Sequence, residues 1–476
     1  MIFNSFHFLF FFLIVTTIYF LLPHAKRWIL LLLSSCYFYM AFVPIYILIL
    51  GFTIVVDYLA GIYIENSQGK KRRLFLICSL IANIGILCVF KYYNFINTNF
   101  TFLLHGFGLK NPIPYLSILL PIGLSFHTFQ AMSYTIEVYR GNQKTERHFG
   151  IYALYVMFYP QLVAGPIERP QNLLHQFREK HSFDSDRIFE GLKIMIWGLF
   201  KKLVIADRLG IYVNGAYNNV GEQNGMTLLL ATLFFSFQVY CDFSGYSDIA
   251  IGTARVMGFD LMTNFRRPIF ARTTGEFWKR WHISLSTWFK DYLYFPMGGS
   301  KVSVPKWYFN LMVVFLISGL WHGANWTYII WGGINGFYLV FAIITTKYRD
   351  KLNALTRIKN YPRLFTFTQI TITFLLISFS RIFFRARSVT DAIAIIKKIC
   401  TFKGSIFNDG AAIIIYCVFA ISFLLVVEFK KEFYTGSFTL SHHKNFWVRN
   451  SYYSFLIILI ILLGVFDGGQ FIYFQF

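Results

Sequence analysis

Long apolar runs recur from one end of this 476-residue chain to the other, and many approach the ~20 residues needed to cross a bilayer. Hydrophobic residues make up 56% of the sequence and charged residues only 14%, whereas a soluble domain carries about 25% charged residues. No polar stretch is long enough to form a sizeable soluble domain. The pattern predicts an all-α, polytopic integral membrane protein with roughly ten to twelve spans.

The charge of the chain is strongly one-sided. Lys and Arg number 44 against 22 Asp and Glu, which gives a formal net charge of +22. The basic residues lie in short loops between apolar runs, so membrane lipids and phosphorylated cofactors are the expected partners and nucleic acid is not. None of the six cysteines forms a Cys-x-x-Cys motif, so neither a metal site nor a disulfide framework is expected.

The basic loops also predict the topology in the cell membrane, because positive loops mark the cytoplasmic side. Ile2–Leu22 is a retained first span with the N-terminus outside, and Pro44 divides the next apolar stretch into two spans. A span at Leu74–Phe90, a polar loop and a span at Pro114–Val138 follow. By parity the tail, Phe471–Phe476, lies on the outer face.

Two segments in the middle of the chain are too interrupted for simple spans. Phe158–Glu168 contains two prolines and a glycine, and Trp197–Arg208 carries two adjacent lysines among apolar residues. Both predict re-entrant or interfacial helices. The later spans are clearer: Trp326–Thr346, Leu364–Phe384, Ala411–Val427 and Tyr452–Phe466.

One histidine, His322, lies within an apolar segment, Ser318–Asn325, with the sequence Ser-Gly-Leu-Trp-His-Gly-Ala-Asn. Because an ionisable side chain is costly in a bilayer, its presence there indicates a functional site that faces the protein interior. Trp321 and Trp326 flank it and could form the walls of a narrow cavity. The alternative is a structural histidine bonded to a helix carbonyl.

The densest polar and aromatic stretch is Asn264–Lys301, which is too polar to span the membrane. Its Trp and Leu residues at three- and four-residue steps predict one helical face, with His282 beside it. Either this helix only anchors the fold at the membrane surface, or it lines a cytoplasmic entrance where basic side chains meet phosphates. The face comprises Trp278, Trp281, Leu285 and Trp288; the basic residues are Arg266, Arg267, Arg272, Lys279 and Arg280.

These motifs together resemble the bacterial membrane-bound O-acyltransferases, specifically the branch of alginate O-acetylases and peptidoglycan O-acetyltransferases. The runs FWKRWHISLSTWFKDYLYFPMGG and SGLWHGANWTYIIWGGING carry the most specific resemblance. Further matching runs are LPIGLSFHTFQAMSYTIEVYRG, QLVAGPIERP, GLFKKLVIADRL and FQVYCDFSGYSDIAIG, so the resemblance covers almost the whole chain.

The resemblance implies a ring of transmembrane helices around a central tunnel, formed by the chain as one domain. Residues 1–150 would supply N-terminal spans, 151–340 the catalytic core, and 341–476 the C-terminal spans and outer tail. His322 matches the family's central histidine and His282 its second one. A neutral imidazole can take the proton of a hydroxyl as that hydroxyl attacks a thioester, and the oxyanion candidates are Trp321, Asn325 and Trp326.

The implied reaction moves an acetyl group from cytoplasmic acetyl-CoA, with no bound cofactor or metal, toward an extracytoplasmic polysaccharide. Tyr473 is either an acyl relay on the outer face or an interfacial aromatic anchor. An extracytoplasmic acetyltransferase of the serine-hydrolase type would complete the transfer. The alternatives are D-alanyl transfer from a carrier protein to teichoic acid and a polytopic polysaccharide transporter.

Overall fold

The computed structural model describes residues 1–117, 120–406, 410–434, 443, 445–466 and 471–472. Over these residues the chain is helical, and the described part contains no β-strand. The described ranges contain twenty α-helices: α1 Phe6–Leu21, α2 His24–Met40, α3 Ile47–Asn66, α4 Gly69–Leu87, α5 Tyr93–Gly106, α6 Leu124–Arg140, α7 Phe149–Met157, α8 Pro170–Leu173, α9 Ser185–Leu199, α10 Asp207–Asn218, α11 Gly225–Met257, α12 Thr274–Arg280, α13 Ile283–Phe289, α14 Val304–His322, α15 Trp326–Ile344, α16 Thr346–Leu355, α17 Pro362–Arg385, α18 Val389–Ile399, α19 Ala411–Phe433 and α20 Phe446–Leu463.

Eight helical runs within the described ranges are long and apolar enough to cross a membrane. One further apolar helix within these ranges is shorter, since α1 has 16 residues. The chain is therefore a multi-pass membrane protein, as the apolar runs predict. The eight runs are Pro44–Asn66, Gly69–Gly106, Gly225–Met257, Val304–His322, Trp326–Ile344, Pro362–Arg385, Ala411–Phe433 and Phe446–Leu463.

The chain divides into two compact units, residues 1–195 with 247–262 and residues 196–246 with 263–476. The boundaries of these units do not coincide with the expected limits at residues 150 and 340. The assignment of a catalytic core to 151–340 and the ring around a tunnel both stay predictions.

A buried carboxylate joins three helices of the first unit. Asp57 on α3 accepts a hydrogen bond from the Ser79 hydroxyl at 2.6 Å and from the Asn83 amide at 2.9 Å, both on α4. Ser79 also lies 3.0 Å from the Thr135 hydroxyl of α6. All four side chains are buried, so the hydrogen bonds offset the cost of removing the carboxylate from water.

The first unit corrects two boundaries predicted from the sequence. The polar loop expected after residue 90 is helical, because a π-helical turn, Cys88–Tyr92, joins α4 directly to α5. Its polar side chains bond back to the helix, as the Thr98 hydroxyl does to the Asn94 carbonyl at 2.8 Å. The span expected from Pro114 begins instead at Leu124, after Gly123 in the left-handed region (φ 76°).

The two interrupted segments differ from each other. Residues 158–169 form turns and irregular backbone, so the re-entrant or interfacial helix predicted for this segment is wrong. The second segment is a continuous helical run in which a π-helical stretch, Phe200–Ala206, joins α9 to α10. Its seven residues are all buried, including both lysines. Lys201 donates to the Ser244 hydroxyl at 2.9 Å, and Lys202 lies 2.6 Å from the Asp242 carboxylate, so both lysines reach α11.

Small residues let α14 and α15 of the second unit pack backbone to backbone. A Cβ atom on Gly332 would lie 2.2 Å from the Phe315 carbonyl oxygen, and one on Gly319 would lie 2.3 Å from the Tyr328 carbonyl oxygen. Only glycine fits at these two positions. Close approach of this kind is typical of packed membrane helices, and here it fixes the end of α14, where His322 lies.

Candidate active site

His322 is the last residue of α14 and is 3% exposed. The chain turns immediately after it, and a Cβ atom on Gly323 would meet the Tyr328 ring at 2.2 Å. The Asn325 side chain then begins α15 by accepting a hydrogen bond from the Thr327 backbone N–H at 3.0 Å. The imidazole is therefore held in a tight helical hairpin with little room to move.

Three aromatic rings surround the His322 imidazole edge to face. The ring centroids lie 4.9 Å from Trp321, 5.0 Å from Trp331 and 5.4 Å from Phe384. Trp331 comes from α15 and Phe384 from α17, so three helices build this wall. The sequence identified Trp321 but not the other two rings.

His282 lies in a break between two short helices. The expected single helical face is wrong here, because α12 ends at Arg280 and α13 begins at Ile283, with His282 in the left-handed region (φ 44°). The imidazole Nδ1 lies 3.2 Å from the Asn264 side-chain oxygen, which also accepts from the Ser284 N–H. Since that oxygen can only accept, Nδ1 carries the hydrogen and Nε2 carries the lone pair of the neutral ring.

The electrostatics of His282 favour the neutral ring. Burial lowers the pKa of His282 to about 3, because removal from water penalises the charged imidazolium. Its ring centroid lies 4.6 Å from Phe243 and 6.2 Å from Trp321. Because Trp321 also contacts His322, one indole links the two histidines.

A cavity of about 330 Å³ adjoins the wall of His322. Two of its lining residues, Trp331 and Phe384, are the same rings that contact the imidazole. Asn335 also lines it, is 1% exposed, and has a side-chain oxygen without a hydrogen-bond partner among the described residues. A buried polar atom of this kind is suited to accept a hydrogen bond from a ligand.

Arg381 places a positive charge in this cavity. The residue is 7% exposed, and its guanidinium lies 4.6 Å from the Trp281 ring centroid and donates to the Ser236 carbonyl at 3.0 Å. It also lines a second cavity of about 280 Å³ that shares Trp281 with the first. Arg381 lies within the span predicted at Leu364–Phe384, and the sequence analysis did not identify it as a site residue. The signal that identifies it is a charge inside an apolar span.

The five basic residues expected to meet phosphates fall into two groups. Arg267 and Arg280 both pair with the Glu432 carboxylate, at 2.7 and 2.8 Å, and Arg280 also pairs with Glu276 at 2.6 Å. Their charges are therefore largely neutralised within the protein. The exposed members are Arg266, Arg272 and Lys279.

Two of the proposed oxyanion donors lie away from the His322 ring. Trp326 is 52% exposed at the first turn of α15, so it does not wall the buried site as expected. The Asn325 amide donates to the Arg387 carbonyl at 3.2 Å while its oxygen caps α15. Trp321 is the remaining candidate at the imidazole. Tyr473, the proposed relay, lies outside the described residues.

Multiple apolar helices define an integral membrane protein, and two buried imidazoles near an aromatic cavity form its candidate acid–base site. The model of MBOAT, the membrane-bound O-acyltransferase family, matches residues 143–384. This range includes α14, both histidines and the cavity.

Similar proteins cover most of the chain. The probable alginate O-acetylase AlgI of Pseudomonas aeruginosa is 36% identical over 395 residues, which covers 82% of this chain and 73% of that protein. The peptidoglycan O-acetyltransferase of Helicobacter pylori is 35% identical over 410 residues, covering 80% of this chain and 74% of that protein. The chain belongs to the membrane-bound O-acyltransferase family and is an acyltransferase.

The chain is also similar, at lower identity, to an enzyme named for the transfer of a different acyl group. The teichoic acid D-alanyltransferase of Bacillus subtilis is 28% identical over 272 residues, covering 54% of this chain and 67% of that protein. Both its identity and its coverage are lower than those of the O-acetyltransferases.

Proposed function

We propose that this chain transfers acetyl groups from cytoplasmic acetyl-CoA across the membrane, for O-acetylation of an extracytoplasmic polysaccharide. The observation that carries the proposal is the buried His322 imidazole, which shares two aromatic walls with the cavity of about 330 Å³. The similarity to an alginate O-acetylase and a peptidoglycan O-acetyltransferase supports acetyl as the acyl group.

The proposed chemistry begins with His322 as general base. Its neutral imidazole takes the proton of the acceptor hydroxyl while the hydroxyl oxygen attacks the thioester carbonyl. The tetrahedral intermediate then collapses, the carbon–sulfur bond breaks, and the imidazolium returns the proton to the departing CoA thiolate. The products are an O-acetyl ester and free CoA thiol, so atoms and charges balance.

His282 has a complementary role in this proposal. Its Nδ1–H donates to the Asn264 side-chain oxygen, so its Nε2 carries the lone pair. That lone pair can accept a hydrogen bond from the acceptor hydroxyl or from another ligand group bound beside Trp321. Because the ring stays neutral, it adds no positive charge next to His322. A neutral neighbour leaves the His322 lone pair available to act as a base.

The donor would enter where exposed basic side chains lie in the Asn264–Lys301 segment. Arg266, Arg272 and Lys279 are exposed. A guanidinium group can donate two parallel hydrogen bonds to the oxygens of one phosphate. Within the cavity, Arg381 would then meet the polar part of the bound thioester. Its planar group, stacked on Trp281, suits a carbonyl or phosphate oxygen.

We propose Tyr473 as the group that carries the acetyl toward the outer face. The support is indirect: the preceding residue, Ile472, is buried and its N–H donates to the Asp242 carboxylate at 2.8 Å. A phenol can accept an acyl group as an ester and release it to a second nucleophile. That nucleophile would belong to an extracytoplasmic partner of the serine-hydrolase type.

Sealed membrane vesicles test the proposal. Acetyl-labelled CoA is supplied on the cytoplasmic side, with the partner and polysaccharide on the other side, and label on the polymer is measured. His322→Ala should lower transfer ~10²–10⁴-fold, the usual contribution of a general base. The matched control is His105→Ala, at an exposed helix end of the first unit. Equal rates in the two variants would exclude His322 as the base.

The same vesicles separate the second candidate, D-alanyl transfer, which the teichoic acid relative supports. A D-alanyl carrier protein replaces acetyl-CoA, and teichoic acid replaces the polysaccharide. If the wild type transfers label from the carrier protein and none from acetyl-CoA, the result supports D-alanyl transfer and rejects acetyl transfer.

A further inference from the structure

The segment Phe471–Ile472 is buried in the second unit, although it follows the last transmembrane helix. The two residues are 1% and 7% exposed. The Ile472 backbone N–H donates to Oδ2 of Asp242, on α11, at 2.8 Å. A hydrogen bond to a carboxylate is about twice as strong as one between neutral groups, so a single side chain holds the backbone of the tail at this point.

The other oxygen of Asp242 is engaged in an ion pair. Its Oδ1 lies 2.6 Å from the Lys202 Nζ, and Lys202 also pairs with Asp207 at 2.7 Å. All three side chains are at most 7% exposed. The ammonium therefore fixes the carboxylate in one orientation and leaves Oδ2 directed at the tail.

Aromatic contacts connect this tail to the histidine site. The Phe471 ring stacks on Tyr246 with centroids 4.7 Å apart and lies 5.6 Å from Phe243. Phe243 in turn contacts the His282 imidazole at 4.6 Å. One ring thus separates the tail from the second histidine.

We infer that Asp242, oriented by Lys202, is a positioning residue that clamps the tail at Ile472 beside the histidine site. The inference rests on the proposed function only for its catalytic consequence, since the clamp would hold the residues after Ile472 where the acyl group is passed on. The competing explanation is that Asp242 only neutralises Lys202. The two differ in whether the tail detaches when the carboxylate is replaced.

Cross-linking measures the attachment of the tail without reference to acyl transfer. The double variant Tyr246→Cys/Phe471→Cys is made in a chain whose six native cysteines are replaced by alanine. A protease site is inserted at the exposed turn around Arg357, between α16 and α17. A short bifunctional thiosulfonate is added and the protease site is cleaved; on a denaturing gel the two fragments then migrate together only if the tail is covalently linked to α11.

The clamp predicts a graded response at Asp242. Asp242→Leu, which lacks an acceptor, should slow cross-linking roughly tenfold or more, the loss expected for a hydrogen bond to a charged group. Asp242→Asn leaves one acceptor oxygen for two donors, the Lys202 ammonium and the Ile472 N–H, so its cross-linking rate should fall between that of Asp242→Leu and that of the wild type. Ser244→Ala is the matched control, because it removes the Lys201 contact on the same helix without touching the tail.

Two results would overturn the inference. One is wild-type cross-linking in folded Asp242→Leu protein; the other is an equal loss in Asp242→Leu and in the control Ser244→Ala. Transfer by the same variants, without the cysteine changes, is measured separately, with kcat expected to fall and KM for the donor unchanged. Failure of the wild type to transfer acetyl would refute the proposed function and leave the cross-linking result standing.

Discussion

Gly332→Ala should displace His322 without altering the chemistry of the site. The new Cβ atom would lie 2.2 Å from the Phe315 carbonyl oxygen, which is 1.2 Å short of the 3.4 Å at which ordinary contact begins (3.4 − 2.2 = 1.2). Because the obstacle is backbone, α14 and α15 must separate by about that distance. Overpacking of this kind costs ~1–3 kcal/mol of stability, and a misplacement near 1 Å can cost ~10²-fold in rate.

The neighbouring glycine provides the matched control. A Cβ atom on Gly333 would meet only the Leu316 side chain, at 3.6 Å, which is an ordinary contact. Both substitutions gain the same helix propensity, ~1 kcal/mol, so that contribution cancels in the comparison. The assay is acetyl transfer per amount of folded protein, together with thermal unfolding in detergent. If Gly332→Ala and Gly333→Ala behave alike, close helix packing does not position His322.

Two further predictions concern the groups around the histidines. Asn264→Leu removes the acceptor of the His282 Nδ1–H and should lower transfer roughly tenfold, whereas Asn264→Asp keeps an acceptor oxygen and should lose less; equal losses, measured as initial rates, would argue against tautomer control. Arg381→Met should raise the donor KM roughly tenfold, and Arg381→Lys should recover only part of it because an ammonium lacks the planar fork. A donor KM that is unchanged in both Arg381 variants would reject the cavity as a donor site.

The sequence was sufficient for the class of fold because the constraint is simple. Apolar runs near the bilayer thickness become helices regardless of their neighbours, and several predicted spans start or end within a few residues of α15, α17 and α19. The predicted helix boundaries were wrong where polar side chains form hydrogen bonds with backbone carbonyls of their own helix. Residues 91–106 looked like a polar loop, yet their Asn and Thr side chains bond back to helix carbonyls and the segment stays helical.

The sequence predicted the central histidine of the site but not all of the aromatic rings that surround it. His322 was found because an ionisable group stands out in an apolar run. Trp331 and Phe384 were not, since they reach the imidazole from other helices and no spacing within one segment reveals such contacts. Trp326, adjacent in sequence to the hairpin, points to exposed surroundings instead. Proximity along the chain was therefore a poor guide to which indoles surround the histidine.

The π-helical stretch between α9 and α10 makes chain length itself a constraint. An α-helix advances about 100° per residue, so deleting one residue from Phe200–Ala206 would rotate every later side chain of α10 by about that angle. Substitutions leave this register intact, whereas a deletion cannot. Variation in this stretch among functional sequences should accordingly consist of exchanges at constant length.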